Sequence, residues 1–355
     1  MVVRSVCSSP DKGFRRRATS GSVTALGEWS LTATRPGNRL GTATESISGD
    51  PCDGDAMKRT SEATMYPQPN GRGVRQASIS ERENREIEAA NASGNTPVVF
   101  VHGLWLLASS WTNWADYFKG AGYAPVTPDW PGDPATVEAA RANPDIFAKT
   151  TLKEIADHTT EVIKALDTKP AVLGHSTGGL LAQMLAGRGL SAATVAIDPG
   201  VFRGVLPLPA SVLRVVGPFL VNPLTRRRAI TLTFDEFKYG WTNALDETEA
   251  RELYDKFHVA GSGISLLQMG NANLNPWTEA KVNTKNPDRG PLLIIEGEKD
   301  HTVPWAIAHA AYKRQRRDPA VTEIVKIPHR GHALTIDHGW REVAQTALDF
   351  VKRFA

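Results

Sequence analysis

Short apolar and β-branched runs recur along the chain at residues 97–101, 123–127, 169–173, 193–197, 292–295 and 321–326. Among them lie segments with apolar residues at helical spacing: 110–119, 151–166, 179–186, 305–314 and 340–353. In the segment 151–166, Leu152, Ile155, Val162, Ile163 and Leu166 fall on one helical face. Strand runs alternating with amphipathic helices predict right-handed crossovers and a parallel sheet covered on both faces. Such a sheet binds ligands beyond the carboxyl ends of its strands.

Three segments depart from this rhythm. Residues 1–78 are rich in Ser, Thr, Gly, Arg and Pro and have neither period, so they are expected to be a disordered extension. The folded part is expected to span residues 79–355. It opens on a polar helix to about Ala90, with Ser80 and Glu83 spaced as a capping box. Residues 199–290 separate two core strands and hold helix-forming runs, prolines and little strand character. A connection that long is usually functional or a subdomain, so a helical cap over the ligand end of the sheet is expected.

Composition narrows the function classes. A formal net charge of +3 over 355 residues, with the arginines in scattered clusters, gives no footprint for nucleic acid. Charged residues at 22% are ordinary for a soluble chain, and no apolar run approaches the length of a membrane span. The N-terminus lacks the apolar stretch of a secretory signal, which points to the cytoplasm. Its Arg- and Ser-rich character leaves organelle targeting as the alternative. Cys7 and Cys52 are the only cysteines, and no disulfide framework or C-x-x-C pattern is present.

The chemistry concentrates at Gly174-His175-Ser176-Thr177-Gly178, between a predicted strand and a predicted helix. A serine on so sharp a turn is strained and exposed at a helix N-terminus, where negative charge is favoured. The bare G-x-S-x-G pattern also fits a glycine turn with a serine cap. What separates the two is the rest of the chain. A serine hydroxyl needs a base, and that base needs an orienting group. Asp300 follows the run 292–295, and His332 follows the run 321–326. Parallel strands would bring both to the edge that carries Ser176. Asp198, after the run 193–197, is the alternative acid; His301, His329 and His338 are expected to be bystanders. His102-Gly103 after the first run would turn the chain so that the Leu104 N–H joins that of Thr177 as an oxyanion donor. Trp105 is expected in the substrate pocket, and His175 beside the turn in the same pocket.

In this order, His102-Gly103, Gly174-x-Ser176-x-Gly178, Asp300 and Gly331-His332 resemble the α/β-hydrolase family, in particular its esterase- and lipase-like serine hydrolases. The resemblance covers nearly all of residues 96–355. It implies a triad of Ser176, Asp300 and His332, an oxyanion hole from Leu104 and Thr177, and a cap before the penultimate strand. It implies no cofactor or metal, and a small ester substrate, expected to be apolar. Related serine-triad reactions (acyl transfer, perhydrolysis, or lactone or carbon–carbon cleavage) and a slow or non-catalytic ligand-binding receptor are the alternatives. The family's first two strands have no counterpart in residues 79–96, so a mostly parallel sheet of about six strands is expected.

Overall fold

Every residue of Pro97–Val101, Ala171–His175, Ala193–Ile197 and Leu292–Gly297 is buried, because helices cover both faces of the sheet these strands form. Side chains alternate between two cores. Val99, Val101, Val172, Ala196 and Ile294 face one, and Val98, Phe100, Leu173, Val195 and Leu293 face the other. That two-sided burial is why the strands read as unbroken apolar runs.

The computed structural model describes residues 3–4 and 78–355. In chain order the strands are β1 (Val3–Arg4), β2 (Pro97–Val101), β3 (Ala124–Val126), β4 (Ala171–His175), β5 (Ala193–Ile197), β6 (Ala229–Ile230), β7 (Gly261–Ser262), β8 (Leu292–Gly297) and β9 (Thr322–Ile327). The helices are α1 (Glu81–Ser93), α2 (Thr112–Gly120), α3 (Val137–Ala142), α4 (Leu152–Lys164), α5 (Thr177–Gly187), α6 (Ala210–Leu220), α7 (Phe234–Gly240), α8 (Glu247–Phe257), α9 (Gly263–Gly270), α10 (Trp305–Gln315) and α11 (Trp340–Val351).

The main sheet runs β1-β9-β8-β5-β4-β2-β3. From β9 to β3 all pairings are parallel, as expected for the six core strands. The two-residue β1 adds an antiparallel edge to β9, Val3 opposite Lys326, which the sequence reading did not anticipate. The expectation of disorder for the rest of residues 1–77 lies outside the described residues. Helices α4, α5 and α10 pack on one face, and α2 and α11 on the other.

No strand precedes β2 among residues 78–96, and α1 takes that space. Its predicted capping box forms: Ser80 Oγ accepts from the Glu83 N–H, and the Glu83 carboxylate accepts from the Ser80 N–H. One turn further on, Glu86 accepts from the Thr127 N–H at 2.7 Å, and Arg82 donates to the Thr127 carbonyl at 2.7 Å. Side chains of α1 thus satisfy the backbone just past β3, where a neighbouring strand would otherwise continue. Between β5 and β8 stand α6 to α9, the expected helical cap, together with the small antiparallel pair β6–β7 that the sequence did not suggest.

Candidate active site

Ser176 links β4 to α5 with φ 55° and ψ −119°, a left-handed backbone that a non-glycine residue adopts only under constraint. The constraint is packing. A Cβ at position 174 would sit 2.0 Å from the Gly178 carbonyl oxygen, and one at 178 would sit 2.0 Å from the Val101 carbonyl oxygen. Only glycine lets the turn close onto the neighbouring strand ends. The Ser176 N–H donates to the Ile197 carbonyl at 2.9 Å, so β5 fixes the turn from its other side.

Three loops converge here. His332, 0% exposed, has Nε2 3.0 Å from Ser176 Oγ and Nδ1 2.6 Å from Asp300 Oδ2. Because a carboxylate only accepts, Nδ1 carries the hydrogen and Nε2 is left to accept from the serine hydroxyl. Asp300 Oδ1 accepts from the N–H groups of Thr302 and Val303 at 2.6 and 2.8 Å, which fixes the carboxylate behind the ring. The loop bearing His332 is itself clamped by the Arg330–Asp337 ion pair across it.

Asp198 also lies close, with Oδ2 3.9 Å from His332 Nδ1, beyond hydrogen-bonding distance. Its Oδ1 accepts from the Gly297 N–H at 2.9 Å. Full burial, then the neighbouring Asp300 and Glu296, push its pKa well above the usual carboxyl range. The neutral form of Asp198 is thereby favoured.

Glu296, at the end of β8, is pushed up to about 8, first by burial and then by Asp300. A group raised on folding stabilises fully below its unfolded value of 4.5, and that contribution is lost as pH rises toward about 8. Glu296→Gln removes this titration. Its melting temperature should therefore fall less than that of the parent protein as pH rises through this range. Parallel melting curves for the two proteins across that range would refute the assignment.

The first loop presses on the serine. A Cβ at Gly103 would lie 2.9 Å from Ser176 Cβ, so Leu104 follows directly beside the nucleophile turn. Thr177, as the first residue of α5, has an N–H without an intrahelical acceptor. His102 is buried with Nδ1 3.0 Å from the Gly103 carbonyl and Nε2 3.0 Å from Asp133, and its ring stacks on Trp130. Burial, the largest influence, raises the pKa of Asp133 above the usual carboxyl range, and the contact with His102 opposes it.

A cavity of about 260 Å³ opens above Ser176. Leu104, Trp105 and Thr177 line it, as do Val205, Val212, Leu266 and Met269 from the cap segment. Trp105 is fixed there by its indole N–H, which donates to the Ile230 carbonyl at 2.9 Å. His175, expected in this pocket, does not line it. Its Nε2 donates to the His332 carbonyl at 2.9 Å, and burial followed by the nearby His332 holds its pKa well below the usual histidine range. It is a neutral strut behind the site, because residue 175 still belongs to β4 and points into the core. His301, by contrast, is tied to the Tyr239 carbonyl, and His338 to Glu249.

Two groups at the site escaped the sequence reading. Trp241, just past α7, sets its buried ring edge-on to His332 at 4.6 Å. Asp133, in a turn without periodicity, is the partner of His102. His175, Asp198 and His332 bring potential metal donors within 4.8 Å of one another. Both nitrogens of His332 are nonetheless engaged by Ser176 and Asp300, so the cluster is organised as a hydrogen-bond relay.

The alpha/beta hydrolase family model matches residues 98–346, and the chain belongs to that family. No curated protein matches the chain. Among solved structures it is similar to an extracellular α/β-hydrolase from a Paenibacillus species, at 18% identity over 72% of this chain and 98% of that one, with a TM-score of 0.52. A pyrethroid hydrolase from Sphingobium faniae is similar at 17% identity over 72% and 97% of the two chains, with a TM-score of 0.51. A monoacylglycerol lipase from Paleococcus ferrophilus follows at 20% identity over 71% and 92%, with a TM-score of 0.50. At these identities the likeness concerns the fold. No described helix is long and apolar enough to cross a membrane.

Proposed function

We propose that the protein is a serine hydrolase that cleaves a carboxylic ester carrying an apolar acyl or alcohol group. The observation that carries this reading is the chain of short contacts from Ser176 through His332 to Asp300 at the floor of an apolar cavity. Ser176 Oγ attacks the ester carbonyl while its proton passes to His332 Nε2. The N–H groups of Leu104 and Thr177 bind the oxyanion of the tetrahedral intermediate. His332 then gives the proton to the departing alkoxide, which leaves as the alcohol and releases an acyl group bonded to Ser176. Water, deprotonated by the same imidazole, attacks that acyl group and frees the acid. Asp300 keeps the ring in its working tautomer and stabilises its cationic form.

The cavity lining supports apolar preference, since each methylene moved from water contributes about 0.8 kcal/mol, roughly a fourfold gain in kcat/KM. With p-nitrophenyl esters of graded length, kcat/KM should climb by about that factor per methylene until the cavity is full. Treatment with a fluorophosphonate should attach the probe at Ser176. Labelling without turnover of any ester or lactone would replace the enzyme with a slow receptor, and an unlabelled serine would end the proposal.

A further inference from the structure

The surface around the cavity mouth combines two features that a free protein surface rarely shows together. Large apolar side chains stand out into solvent: Val221 at 82% exposure, Leu274 at 82% and Trp277 at 84%, with Leu206, Leu208 and Leu224 also exposed. Scattered single residues of this kind need no explanation, but a contiguous group does. Leu206, Leu208 and Leu274 also line the cavity above Ser176, so the patch and the mouth are continuous. The two loops that bear them are tied together. The Gly204 N–H donates to Asn273 Oδ1 and Asn273 Nδ2 donates to the Val205 carbonyl, both at 2.7 Å. Val221 and Leu224 follow Leu220, which lines the same mouth from the end of α6.

Charge is distributed one-sidedly over the same segments. Residues 199–234 contain the five arginines 203, 214, 226, 227 and 228 and no acidic residue, and residues 263–278 contain no charged residue at all. Arg226, Arg227 and Arg228 are exposed at the end of the turn that carries Leu224. Beside the mouth lies a second cavity of about 470 Å³, lined by Arg203, Asn273, Lys281, Asn283 and Arg314 with no carboxylate among its residues. Asn273 lines both cavities, and Arg314 Nε is buried without a hydrogen-bond partner.

We propose that this rim docks on an anionic lipid surface. Trp277, Val221 and the exposed leucines enter the boundary between headgroups and acyl chains, and Arg226 to Arg228 lie against the headgroups. A headgroup phosphate sits among Arg203, Lys281 and Arg314. An acyl chain then passes from the lipid into the cavity over an apolar rim without crossing water. The docking deepens the ester-hydrolase reading by naming a lipid assembly as the source of substrate, and for that step it rests on the reading.

The test uses the full chain and protein-free vesicles of phosphatidylcholine, with or without phosphatidylglycerol, read by co-sedimentation. The parent protein should bind the anionic vesicles far better than the neutral ones and be released by salt. Neutralising Lys281→Ser should weaken anionic binding about fivefold, and Arg226→Ser, Arg227→Ser and Arg228→Ser together by roughly tenfold to a hundredfold. Trp277→Ser with Val221→Ser should weaken binding to both vesicle types. All of these variants should keep the parent kcat/KM on a short-chain ester dissolved as monomer, which also reports that they are folded. A parent protein that binds both vesicle types alike, or variants that bind as the parent does, would overturn the docking. Vesicle binding does not depend on turnover. Binding without hydrolysis of any ester would therefore sink the enzymatic reading alone, and hydrolysis without binding would sink the docking alone.

Discussion

Ser176→Ala should abolish fluorophosphonate labelling and reduce ester hydrolysis by about 10⁵- to 10⁶-fold, the scale on which removal of a serine nucleophile acts. The fold should survive. Alanine adds no atom to a turn that already accommodates a Cβ at φ 55°, and the main-chain bonds at 176 do not involve the hydroxyl. Melting temperature and vesicle binding of the variant should match the parent, so that the loss is read as chemistry. Retention of more than about a thousandth of the activity would assign the attack to another group, since binding and the oxyanion donors alone leave only 10³- to 10⁴-fold catalysis over water.

The second large effect separates two carboxyl groups that face one imidazole. Asp300→Asn should cost about 10⁴ in kcat with little change in KM, because an amide at 2.6 Å from Nδ1 can donate to it and turn the ring to the wrong tautomer. Asp198→Asn should stay within about fivefold of the parent. An asparagine has the shape and neutrality of the protonated form that burial and Asp300 favour at Asp198, and its carbonyl oxygen can still accept from the Gly297 N–H. Steady-state kinetics on a single soluble ester decide the matter. A greater loss in Asp198→Asn than in Asp300→Asn would exchange the roles of the two acids.

Legibility in the sequence followed the strength of the local physics. The core strands could be read because burial on both faces leaves them little choice but Val, Ile, Leu and Ala, and β2 and β5 fell at the expected residues. The serine turn could be read because packing at Gly174 and Gly178 excludes any side chain, which writes the geometry into the sequence as a spacing. Parallel topology then placed Asp300 and His332 by construction, since each follows a strand at the same end of the sheet. The placement of Trp241 over His332 has no such signature. It depends on how α7 and α8 settle on the domain, and one buried tryptophan in a helical cap resembles any other core residue. His175 was misplaced for a related reason. Proximity along the chain to Ser176 suggested the pocket, whereas the last residue of a buried strand turns its side chain inward. Asp133 lies in a loop with no period, and only its distance from His102 reveals the pairing.

Helix α1 stands far from the serine in sequence, yet it finishes the outer border of the sheet. Without Arg82 and Glu86 the peptide groups at Thr127 would face water with strand-like spacing, a template for a second chain to join. Among the described residues no strand lies outside β3, and a short polar helix takes up these peptide groups instead. Shortening the chain from its amino end past residues 80–93 should therefore expose the Thr127 peptide groups and promote self-association, even though the residues around Ser176 are untouched.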